Sequence, residues 1–104
     1  MDSNGFDTIV VEIDLELITV VPDYLENRRL DCQSIERLLA DGDLDGIRAL
    51  AHRMKGSGGS YGFDEITTLG EALERAALVP DSNGIRSVVS RLKSYLSSVS
   101  VTYI

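Results

Sequence analysis

The chain has 104 residues, 43% of them hydrophobic, and 17 acidic against 10 basic side chains give a formal net charge of -7. That length suits one domain, residues 1–104, around a single modest core, and the acidic balance tells against general binding to nucleic acid or anionic lipid. No apolar run approaches the roughly 20 residues that cross a bilayer, residues 1–7 lack the basic and apolar regions of a signal peptide, and the lone Cys32 excludes an internal disulfide. A cytoplasmic protein with no membrane insertion is expected, and Met1 with the brief tail favours a free-standing one.

Residues 8–17 alternate as Ile9, Val11, Ile13, Leu15 against Val10, Glu12, Asp14, Glu16, a period-two pattern that a short strand would show. A strand without a partner is not stable alone, and no partner is evident. The expectation is therefore an extended or partly helical lead-in packed on helices. From about Leu17 to Ala40, Val21, Leu25, Cys32, Ile35, Leu38 and Leu39 fall near helical spacing, with Pro22 suited to the first turn and Cys32 on the apolar side as an inert thiol.

Asp41-Gly42 stops this helix, and Asp43 is the N-cap of a second helix that turns Leu44, Ile47, Leu50, Ala51 and Met54 inward and ends between Gly58 and Tyr61. Asp64 is the predicted cap of a third, with Ile66, Leu69, Leu73, Ala76 and Ala77 inward, ending before Val79-Pro80. Ser82 or Asn83 is the predicted cap of a fourth, carrying Ile85, Val88, Val89, Leu92, Tyr95, Leu96 and Val99. Short turns between four helices predict an all-α, antiparallel four-helix bundle, with its core over about 17–99. Residues 100–104 are left open between a frayed tail and one packed back on the bundle.

The chemistry concentrates in Ala51-His52-Arg53-Met54-Lys55-Gly56-Ser57-Gly58-Gly59, which holds the only histidine. Residues three, four and seven apart share a helix face, so His52 shares its face with Lys55, Gly56 and Gly59: positive, and poor in side chains. Residues 46–63 contain Arg48, His52, Arg53 and Lys55 and no acid. Such a face suits a phosphoryl group. A lone helical histidine is ordinarily a surface or capping residue; the cations and clustered glycines distinguish this one. Each glycine inside a helix costs about 1 kcal/mol relative to alanine. Their presence here implies an early helix end or close approach by another protein's surface.

Other chemistries fit less well. Asp41-Gly42-Asp43-Leu44-Asp45-Gly46 opens like a calcium loop, but position 12 is His52 rather than a bidentate acid, and a polar turn explains it. Neither nucleotide-binding glycine motif is present. One histidine and one cysteine, far apart, leave only carboxylates for a metal, and no serine sits in a nucleophile elbow for a hydrolase.

His52-x-x-Lys55-Gly56-Ser57, with Gly62 following and Leu69, Leu73 and Glu74 on the next helix, resembles the histidine-containing phosphotransfer (HPt) domain of bacterial multistep phosphorelays. The resemblance implies a four-helix bundle with His52 exposed on the second helix and phosphorylated at Nε2. It further implies that Lys55 neutralises the phosphoryl oxygens, that Gly56 leaves room for a docked receiver domain, and that Glu74 accepts a hydrogen bond from Nδ1–H to fix the tautomer. An ordinary solvated glutamate is the plainer reading of Glu74. Arg48, Arg53, Gly56 and Gly59 are the expected partner-binding residues. The implied partners are response-regulator receiver domains, with a hybrid sensor histidine kinase as a further candidate; the receiver would supply the phospho-aspartate and the Mg²⁺, the chain itself holding no cofactor. With no ATP-binding motif, the chain is expected to be a relay intermediate rather than a kinase. A helical docking module that carries no phosphate is the alternative.

Overall fold

The computed structural model describes residues 8–104. In chain order these form strand β1 (Ile9–Ile13), a 3₁₀ turn (Leu15–Leu17), helices α1 (Val21–Ala40), α2 (Leu44–Ser60), α3 (Asp64–Leu78) and α4 (Ser82–Ser98), and strand β2 (Val99–Tyr103). The helices make the structure mostly α-helical. Each packs on its sequence neighbours, and α1 closes the ring against α4.

The local signals explain most boundaries. Pro22 sits in the first turn of α1, where its missing N–H has no helical partner to lose. Asp41 caps the C-terminus, and Gly42 follows at φ +72°, a left-handed position that glycine takes without strain. Asp43 caps α2 by accepting a hydrogen bond from the Gly46 N–H at 2.9 Å. Two predicted caps are displaced. Asp64 is the first helical residue of α3, behind Phe63, whose hydrocarbon side chain has no acceptor to offer and is instead fully buried in the core. Asp81, not Ser82 or Asn83, caps α4 by accepting from the Gly84 N–H; the carboxylate one residue earlier holds the acceptor position that either polar side chain could have filled.

The inward residues are those the spacing predicts, with Ile13, Tyr24 and Phe63 added and Leu38, Leu39, Leu44, Ala76 and Val99 only partly covered. Cys32 is buried, and burial pushes its thiol up to about 11, which keeps it inert.

The lead-in requires a correction. It is a strand, and its partner lies at the other end of the chain: β1 pairs in parallel with β2, Ile9 opposite Val99 through Ile13 opposite Tyr103. Ile104 N–H donates to the Ile13 carbonyl and Leu15 N–H to that of Ile104, both at 2.9 Å. Parallel strands need a long crossover, and here the four helices are that crossover. The pairing was invisible locally because its two halves are separated by the entire bundle. The tail therefore packs back as a strand to Tyr103, with Ile104 hydrogen-bonded just beyond it. Ile13 is 1% exposed and lies over the α2–α3 turn, where Gly62 holds φ +90° and a Cβ would fall 2.5 Å from Ile13 Cδ1.

Candidate functional site

His52 sits in the middle of α2, on the side turned away from the core residues Ile47, Leu50, Ala51 and Met54. Its side chain is 69% exposed. Nδ1 lies 3.0 Å from Oε2 of Glu74 on α3, and Lys55 donates from Nζ to the other oxygen, Oε1, at 2.9 Å. One carboxylate thus joins the ring to the cation a turn further along α2. The Lys55 hydrogen bond is the main influence holding the Glu74 carboxyl below its usual range; partial desolvation opposes it, and the His52 hydrogen bond adds to it.

The α2–α3 contact that creates this arrangement depends on small residues. A Cβ at Gly70 of α3 would lie 2.6 Å from the Lys55 backbone nitrogen, and one at Gly58 of α2 would lie 2.6 Å from both the backbone nitrogen and Oγ1 of Thr67. The two backbones come together at both places because no side chain intervenes. Late residues of α3 therefore meet the middle of α2, while early residues of α3 meet its end. Thr67 Oγ1 donates to the Lys55 carbonyl at 2.9 Å and accepts from the Gly59 N–H at 2.8 Å.

The predicted residues separate into groups. His52, Lys55 and Glu74 come together. Arg48 and Arg53 join His52 and Glu74 around a shallow depression, with Asp45 and Ala49 completing its lining. Gly56 faces open space, with nothing within 4 Å of a Cβ placed there, whereas Gly59 has only ordinary contacts with Thr67 and Asp64. Close approach by another protein is thus a geometric option at Gly56; at Gly58 the close approach comes from this chain's own α3.

The strip is also less purely basic than residues 46–63 alone suggest. Glu74 pairs with Lys55, and Asp45 approaches Arg48 to 3.4 Å at an exposed surface. These acids lie outside that stretch of sequence. Sequence reasoning missed Thr67, Gly70 and the aromatic flank of α1, and did not foresee that Gly58 meets this chain's own α3. There Tyr24 shares a 2.8 Å hydrogen bond with Ser57, stacks on Tyr61 at 4.1 Å, and has the Arg28 guanidinium 4.5 Å above its ring. The spacing of Thr67, Gly70 and Glu74 at i, i+3 and i+7 was the available signal: it puts a hydroxyl and a glycine on the face that carries the acid.

The Hpt domain family model matches residues 19–102, so the chain belongs to the Hpt domain family. No significant match is found among curated proteins or among solved structures. Membership places the chain in histidine phosphotransfer within two-component phosphorelays, with receiver-domain or kinase partners. Among the described residues, no helix is long and apolar enough to cross a membrane.

Proposed function

We propose that His52 accepts a phosphoryl group from the phospho-aspartate of one receiver domain and passes it to another. The observation that carries this reading is the pairing of an exposed imidazole with a carboxylate at Nδ1. With Nδ1–H donating to Glu74, the neutral ring keeps its lone pair on Nε2. That lone pair attacks phosphorus, an Nε2–P bond forms, the acyl-phosphate O–P bond breaks, and the receiver's aspartate leaves as a carboxylate. Positive charge developing on the ring is met by Glu74 across the 3.0 Å contact. Return transfer to a second receiver reverses these steps.

Lys55 adds positive charge on the same helix face, available to phosphoryl oxygens; in the unphosphorylated protein Glu74 holds its ammonium. The receiver supplies the Mg²⁺. Docking centres on Gly56 and Gly59, with Arg48 and Arg53 flanking, because this is the strip where α2 presents little side-chain bulk. A hybrid sensor kinase is a suitable carrier of the first receiver. The role is that of a relay intermediate, one domain acting in the cytoplasm, without autokinase activity. A docking module that carries no phosphate would have no use for a histidine and a lysine joined through one carboxylate.

Incubation with a ³²P-labelled phospho-receiver and Mg²⁺ tests the proposal. Label is expected on the wild-type protein, is released by acid as from a phosphoramidate, and is missing from His52→Gln. Label on His52→Gln, or acid-stable label on the wild type, overturns it.

A further inference from the structure

Threonine inside a helix ordinarily returns its hydroxyl to a carbonyl of its own preceding turn. Thr68 does this, donating to the Asp64 carbonyl at 3.3 Å. Its neighbour Thr67 behaves differently. The Thr67 hydroxyl leaves α3 and enters α2, donating to the Lys55 carbonyl and accepting from the Gly59 N–H. In an α-helix, residues 55 and 59 are partners in one i to i−4 hydrogen bond. A single side-chain hydroxyl therefore engages both ends of one rung of the helix that carries His52.

Two glycines make room for it. Gly58 has no Cβ to strike Thr67, and Gly70 has none to strike the Lys55 backbone. Thr67, Gly70 and Glu74 lie along one face of α3 and meet α2 near residues 59, 55 and 52 in turn. The hydroxyl resists both sliding and rotation of α3 against α2, because each movement would stretch two hydrogen bonds of known direction. The same rigid face delivers the Glu74 carboxylate, whose bonds to His52 and Lys55 tolerate little displacement at 3.0 and 2.9 Å.

We propose that Thr67 is a positioning residue for phosphotransfer: its hydroxyl sets the register of α3 on α2 at Lys55 and Gly59, and Glu74 meets His52 and Lys55 in consequence. This inference rests on the proposed role of His52. It assigns Thr67 no contact with the phosphoryl group.

The experiment compares Thr67→Val, which keeps the shape and removes the hydroxyl, with Thr67→Ser, which keeps the hydroxyl. Three quantities are read: the His52 tautomer ratio by ¹⁵N NMR, amide exchange at Gly59, and the rate of transfer from a phospho-receiver. Thr67→Val is expected to raise the Nε2–H tautomer, speed exchange at Gly59 and slow transfer about five- to tenfold, with Thr67→Ser within about twofold of wild type in all three. If Thr67→Val does not fold, Thr67→Ala takes its place. A folded hydroxyl-free variant with the wild-type tautomer ratio overturns the proposal, whether or not transfer slows, since slower transfer alone would mark a merely structural residue. The two NMR readings use unphosphorylated protein, so failure of the wild type to accept phosphate would defeat the function reading and still leave this comparison decisive.

Discussion

The two oxygens of Glu74 have different partners, and substitutions can separate them. Glu74→Gln keeps an acceptor for Nδ1–H and loses the charge that holds Lys55; Glu74→Ala loses both. In ¹⁵N spectra of the neutral imidazole, Glu74→Gln should retain the Nδ1–H tautomer while Glu74→Ala shifts toward Nε2–H, with transfer slowed on the order of tenfold, as when an orienting partner is removed from a functional histidine. Equal tautomer ratios in all three proteins would make Glu74 an ordinary surface acid. The pH dependence has a definite sign. Because the folded value lies below the usual 4.5, with the Lys55 hydrogen bond as the main cause, the carboxylate's bonds contribute to stability above about that pH and fade as pH falls through the lower folded value. Lys55→Ala should move this fading to higher pH. Helical spacing put His52 and Lys55 on one face, and the family resemblance set Glu74 opposite the imidazole. The Lys55–Glu74 pair was not legible, since spacing places a residue on a face without saying which charge it meets across a helix contact.

At the scale of the elements, the glycines of α2 differ by what stands opposite them, and their substitutions should differ in sign. Gly56→Ala meets nothing within 4 Å, so the helix gains about 1 kcal/mol from propensity alone. Gly58→Ala would place a methyl 2.6 Å from the Thr67 backbone nitrogen and 2.9 Å from the Phe63 carbonyl oxygen. Backbone cannot yield as a flexible side chain does, and a net loss of about 1–3 kcal/mol is expected. Urea denaturation measures both, and a stabilised Gly58→Ala protein would mean that α3 does not sit this close to α2. Gly56→Leu should fold like the wild type yet fail to exchange phosphate if the receiver docks there as proposed, because its side chain would fill the open space at that position; unimpaired transfer would remove Gly56 from the proposed docking face. The sequence shows a run of glycines but not which face open space and which meet the chain's own third helix. That distinction arises only when α3 is laid on α2.

For the whole molecule, the pairing of the first and last described strands was the least legible feature. The alternation over residues 8–17 does announce a strand, but its partner lies 90 positions on, as the pairing of Ile9 with Val99 shows, and no local pattern carries such information. Ile13 against the turn at Gly62 is a contact by which the strand pair bears on the end of the helix that carries His52. Ile13→Ala, in a side chain 1% exposed, should cost about 2–5 kcal/mol. Gly62→Ala should also destabilise, for two reasons: φ +90° is strained for any residue with a Cβ, and that Cβ would fall 2.5 Å from Ile13 Cδ1. Only the second reason disappears when Ile13 is shortened. The double variant should therefore lose less than the sum of the single losses, by an interaction energy of about 0.5–3 kcal/mol in a double-mutant cycle. The strain at residue 62 should remain as a penalty relative to Ile13→Ala alone. Strict additivity would mean that the Ile13 side chain does not press on the α2–α3 turn at Gly62.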